Sequence, residues 1–142
     1  MNKFNQPALA TTILRLSLGV MFLAHGFLKL LVFTPAGTAG FFGSLGLPEF
    51  LGPLTMSLEL AGGLLLVIGF QVRLVSVLLI PILIGSIVFV HGANGWGFGN
   101  AGGGYEYPLF LIMASVVQAL LGNGAYAIES RFKSAQVTTA KA

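Results

Sequence analysis

From Leu74 to Val90 the chain reads LVSVLLIPILIGSIVFV, with no charged or amide side chain to meet water. A hydrocarbon layer about 30 Å thick is crossed by about 20 helical residues, and about 17 suffice. This run can therefore span a bilayer. Three others approach the same length: Leu9 to Val32, Leu54 to Phe70 and the shorter Tyr107 to Leu121. Inside hydrocarbon each backbone amide must find its partner within its own segment, which leaves the helix as the form for such runs. The sequence thus predicts an all-α membrane protein, a four-transmembrane-helix bundle. Composition excludes the soluble alternative. Only 8% of the 142 residues are charged, against roughly 25% in an average soluble domain, and so few charges cannot cover the large apolar patches that drive association.

Only Gln71-Val72-Arg73 separates the second run from the third. One helix from 54 to 90 would be far too long for a bilayer, so a break is expected at this joint, with antiparallel spans on either side. Between the first two runs, Thr34 to Gly52 holds Phe41, Phe42, Leu45, Leu47 and Phe50 among glycines, a pattern for a short amphipathic or re-entrant segment at the membrane interface. Gly92 to Gly104 carries seven glycines with Asn94, Trp96 and Asn100, which favours turns and close backbone approach. Trp96 suits an interface anchor. We read 1–133 as a single domain and the small, polar 134–142 as a disordered tail. The apolar run after Lys3 is longer than a signal-peptide core and carries Arg15 and Lys29, so it is expected to be a retained first span. With four spans, Lys3, Arg73, Arg131, Lys133 and Lys141 fall on one side and Lys29 near the other. The positive-inside rule then places both termini in the cytoplasm.

The chain has no cysteine. Thiol redox chemistry and thiolate metal sites are excluded, no metal site is expected, and any redox role needs electrons from elsewhere. No basic-aromatic constellation suggests nucleic acid.

Ionisable groups at membrane depth cost on the order of 2.5 to 3.5 kcal/mol each on insertion scales, so each calls for a partner or a purpose. Arg15 is near enough to one surface to snorkel. The remaining five, His25, Lys29, Glu59, His91 and Glu106, gather toward the other leaflet. A helical rise of about 1.5 Å per residue puts His25 and Glu59 at similar depth, and Lys29 one turn above His25, so Glu59 can reach either cation. Glu106, flanked by Tyr105 and Tyr107, opens the last span, where the helix dipole favours an anion and Pro108 suits the first turn. Pro81 falls inside the third span and should kink it. Gly62, Gly63, Gly69 and Gly85 permit close helix packing. A faint echo links Ala24-His25-Gly26 to Val90-His91-Gly92, as two related helical hairpins would. The structural alternative for Glu59 is a buried pair that only fixes helix register.

GVMFLAHGFLKL from Gly19, GFFGSLGLPEF from Gly40, Glu59-Leu60-Ala61-Gly62-Gly63, His91 before a glycine-rich loop and GGYEYPL from Gly103 occur in that order. Together they resemble the DoxX family, over about Leu14 to Ile128. The resemblance implies a four-helix inner-membrane (plasma-membrane), multi-pass protein of bacteria or archaea, and a link to quinone-coupled sulfur oxidation or to membrane complexes that handle oxidative stress. Lys29, Glu59, His91 and Glu106 match its recurrent polar positions.

The leading expectation is a small subunit serving quinone-linked redox chemistry, an oxidoreductase-associated role. A ligand site would be formed by His25, Lys29, Glu59, His91, Tyr105 and Glu106, with a quinone as the non-covalent cofactor and Phe22, Phe27, Phe89, Trp96 and Tyr105 flanking its ring. A membrane or peripheral redox partner would supply electrons, and the chain could form homo-oligomers. The alternatives are a non-catalytic assembly subunit and transport of a small solute or proton.

Overall fold

A computed structural model describes residues 5–129. Asn5 caps the first helix, α1 (Gln6–Phe27), by accepting from the Ala8 amide, and Pro7 occupies the first turn, where its missing donor costs nothing. α1 runs on through a π-helical turn, Leu28–Val32. Thr34 caps α2 (Pro35–Ser44), a short helix in the segment expected at the interface. Next comes α3 (Leu51–Ile68), which ends where Gly69 turns left-handed at φ 75°, a conformation that costs glycine little. α4 (Val72–Ser86) continues through Pro81 into a second π-helical turn, Ile87–His91, and a 3₁₀ turn, Gly92–Asn94. α5 (Glu106–Leu121) closes the set. No strand occurs among the described residues.

Three stretches, Gln6–Val32, Leu51–Ile68 and Val72–Asn94, are long and apolar enough to cross a membrane, while α5 is shorter. The break between α3 and α4 falls at Gly69 to Gln71, beside the expected Gln71-Val72-Arg73 joint, with Val72 and Arg73 already in α4. The tail expected from 134 to 142, and the cations Lys3, Arg131, Lys133 and Lys141, lie outside the described residues.

α1 packs most extensively on α3, and α4 on α5. Glycine makes the first pairing possible. A Cβ on Gly63 would lie 2.8 Å from the Gly19 carbonyl oxygen, and one on Gly26 would lie 2.7 Å from Leu60 Cγ. Gly62 leaves room for Leu79 of α4 in the same way. Gly85 differs from expectation: nothing lies within 4 Å of a Cβ built there, so it contributes no packing within the chain. The core between the helices is apolar, centred on Leu18, Phe22, Leu66, Leu79 and Leu111.

The bundle has two unlike ends. At the loop end lie α2 and the glycine-rich segment that precedes α5. At the joint end, the α3–α4 joint meets the segment that follows α5. Arg15 belongs to the joint end and does not snorkel: it is 2% exposed and donates through Nη1 to the Asn123 carbonyl (2.9 Å) and through Nη2 to that of Ala125 (3.5 Å). Thr12 donates to the Ala125 carbonyl as well, and the Ala125 amide to that of Ala8. The cation is held inside because the C-terminal segment wraps over it and supplies carbonyls in place of water.

The two π turns stand at different offsets from His25 and His91. One π turn begins three residues after His25, whereas the other ends on His91.

Candidate functional site

Lys29 sits in the first π turn, a feature frequent at functional sites, and Glu59 near the middle of α3. The Lys29 ammonium donates to both carboxylate oxygens, at 2.7 and 2.9 Å, with the side chains 19% and 6% exposed. Of the two cations within reach of Glu59, the fold has selected Lys29. Glu59 shares its buried face with Gly62 and Gly63, so the face that lets helices approach also keeps the carboxylate out of lipid.

His25 turns the other way. Its Nδ1 lies 2.9 Å from the Met21 carbonyl, one turn back, and its ring lies 6.2 Å from that of Tyr107, nearly parallel at 28°. His91 likewise uses Nδ1, 2.9 Å from the Gly103 carbonyl, and thereby ties the end of α4 to the glycine-rich segment. That segment is compact. Asn94 donates to the carbonyls of Val90, Gly102 and Gly103, and the amides of Gly104, Tyr105 and Glu106 bond back to Gly97, Gly95 and Trp96. Gly104 is required there, since a Cβ would run into the carbonyls of Gly95, Trp96 and Gly97. Glu106 completes the fastening: its Oε1 accepts from the Phe98 amide at 2.7 Å.

The consequence is an open groove of ≈ 820 Å³ lined by His25, Trp96, Phe98, Glu106, Tyr107 and Phe110. The loop holds Trp96 edge-on to Tyr105 (5.5 Å) and Phe98 edge-on to Tyr107 (6.0 Å), the arrangement favoured between aromatic quadrupoles. Tyr107 donates its hydroxyl to Met21 Sδ.

Of the six ligand residues expected, only His25 and Glu106 line the groove. Lys29 and Glu59 are spent on each other, His91 is used on the loop, and Tyr105 supports Trp96 from behind. Among the expected ring neighbours, Phe22 is in the core at 1% exposure, Phe27 and Phe89 are exposed elsewhere, and Trp96 alone reaches the groove. Phe98, Tyr107 and Phe110 take their places. The sequence signal for Tyr107 and Phe110 was their spacing on one helix beside Glu106; for Phe98, folded in by a loop, there was none.

Residues 10–92 match the DoxX family. A Bacillus subtilis (strain 168) protein named "Putative oxidoreductase CatD" is 36% identical over 121 residues, covering 85% of each chain. The chain belongs to the DoxX family. No solved structure matches it. With this family and its apolar helices, this DoxX chain is a multi-pass membrane protein whose surroundings are a lipid bilayer. His25, Lys29, Glu59 and His91 fall inside the matched family region, and Trp96, Phe98, Glu106, Tyr107 and Phe110 beyond it.

Proposed function

We propose that this protein is a four-span subunit of a prokaryotic inner membrane, with both termini cytoplasmic, that serves quinone-linked redox chemistry by holding a quinone head group in the loop-end groove. The observation that carries this reading is the groove itself, in which four aromatic rings, an imidazole and a carboxylate line one open space. Flat rings stack on such walls, and ligand sites commonly combine an apolar lining with a few placed polar groups. The relative's name, an oxidoreductase, points the same way. A quinone bound there would supply the electron and proton chemistry that a cysteine-free chain lacks. This chain's own residues would flank the ring with aromatic side chains, place His25 and Glu106 beside it, and leave electron delivery to a partner protein.

The single tryptophan, Trp96, is a built-in reporter. Titrating a short-tailed ubiquinone into the full chain in lipid nanodiscs should give saturable quenching of its fluorescence, weakened at least several-fold in Tyr107→Ala. Quenching that rises linearly with quinone in the membrane and is identical in the variant would remove the site.

One observation favours the assembly-subunit alternative: the Lys29–Glu59 pair is complete without a ligand, as a register-fixing pair would be. Quinone-independent co-purification with a redox enzyme, together with linear quenching, would select it.

A further inference from the structure

The hydrogen-bonding character of the groove is fixed by bonds made outside it. A carbonyl can only accept, so His25 must carry its hydrogen on Nδ1 to bond the Met21 oxygen. In the neutral ring the remaining nitrogen, Nε2, is then a lone-pair acceptor, and it has no partner among the described residues. Glu106 is similar. Its Oε1 is occupied by the Phe98 amide, which leaves Oε2 as a second unspent acceptor. The Tyr107 hydroxyl is turned toward Met21 Sδ. Among the lining side chains, the indole N–H of Trp96 is the remaining donor, and it stands on the exposed loop.

We infer that the groove selects the hydroxyl-bearing, reduced form of an aromatic head group, a quinol or a tailed phenol, over the oxidised quinone. This deepens the quinone-site reading and rests on it. A quinone presents two carbonyl acceptors, which would face the acceptors His25 Nε2 and Glu106 Oε2 and leave them unpaired. A quinol presents two O–H donors, which match them. His25 and Glu106 are half-buried in this open groove, so a ligand that shields them from water without pairing them loses a hydrogen bond that a hydroxyl-bearing ligand keeps. The apolar side fits a tailed molecule: Phe110 lines the groove, and exposed Met113 and Val117 continue the same face of α5 away from it.

The test compares decylubiquinol, decylubiquinone and the dimethyl ether of the quinol against the full chain in nanodiscs, under argon. Affinities are read by competition with a Trp96-quenching quinone. The quinol should bind about tenfold more tightly than the quinone, a ratio that corresponds to one well-made hydrogen bond, and the dimethyl ether should bind no better than the quinone. Glu106→Gln keeps an acceptor for the Phe98 amide but replaces the free oxygen with an N–H donor, so the ratio should fall to about one or below. His25→Phe keeps the ring against Tyr107 and should also lower it. Equal binding of quinol and quinone by the wild type, or a ratio unchanged in both variants, overturns the selectivity and leaves the site standing. Binding of none of the three overturns the selectivity and the site together.

Discussion

Each end of the bundle holds a cation away from most of the solvent, and they dispose of it differently. At the loop end Lys29 faces a carboxylate, an ion pair between two helices. At the joint end Arg15 faces backbone carbonyls of the segment after α5, and no ion pair to it occurs among the described residues. Other polar groups around the two openings differ as well. At the joint end they close the chain on itself: the Gln71 amide and the Asn123 side chain both donate to Glu129 Oε2, Arg73 donates to the Ala119 carbonyl, and the cleft they line is only ≈ 290 Å³. At the loop end, one atom of His25 and one of Glu106 are bonded to the protein, and both residues line a larger groove. The contrast separates polar residues that hold the fold from polar residues that the fold holds ready.

The largest test of this contrast breaks the loop-end pair from one side. Glu59→Leu strands an ammonium whose one ion pair among the described residues is with Glu59, and the cost of breaking a buried pair is roughly 3–5 kcal/mol. We expect a loss of that size in denaturant unfolding of the reconstituted protein. The double variant Lys29→Met with Glu59→Leu should recover most of it, since apolar replacement of a buried pair is often nearly neutral. If the double variant is as unstable as the single one, the pair is not what holds these helices.

Arg15→Met should act more weakly, by about 1–3 kcal/mol, because it takes the Arg15 donor from the Asn123 carbonyl without stranding a charge, while the Ala125 carbonyl keeps the Thr12 hydroxyl. Its signature is local. Proteolysis or hydrogen exchange in the segment after Leu121 should accelerate well before the rest of the bundle opens. Uniform acceleration across all helices would mean that Arg15 supports the core and not the closure of that segment.

The smallest effect distinguishes two glycines. Gly63→Ala forces a methyl to within 2.8 Å of the Gly19 oxygen and the Leu23 amide, and overpacking of this kind costs about 1–3 kcal/mol. Gly85→Ala meets nothing within 4 Å and should be neutral or stabilising by about 0.5–1 kcal/mol through helix propensity. A destabilising Gly85→Ala would reveal a partner packed on that face in the membrane.

Much of the fold was legible because hydrocarbon is a severe solvent. The end of the first apolar stretch at Val32, a break beside Gln71 and a last helix ending at Leu121 follow from where apolar runs meet glycine and polar residues. The burial of Glu59 was also legible, since it shares a helix face with two glycines. Less could be read where a side chain had several partners at the same depth. Depth alone allowed Glu59 either His25 or Lys29; the Met21 carbonyl, one turn below His25, accounts for the imidazole, and Lys29 remained. Arg15 was misread because its nearness to the surface is a one-dimensional property, whereas its burial depends on a segment more than one hundred residues later folding over it.

By itself, then, the sequence determined the solvent, the helices and the set of polar residues that the bilayer would not tolerate unpartnered, because each of these depends on local composition and helical period. Tertiary structure alone decided which of those residues pair, which fasten a loop and which stay open in a groove. Those outcomes depend on the directions in which side chains leave different helices, and on a glycine-rich loop that carries Trp96 and Phe98 back over α5.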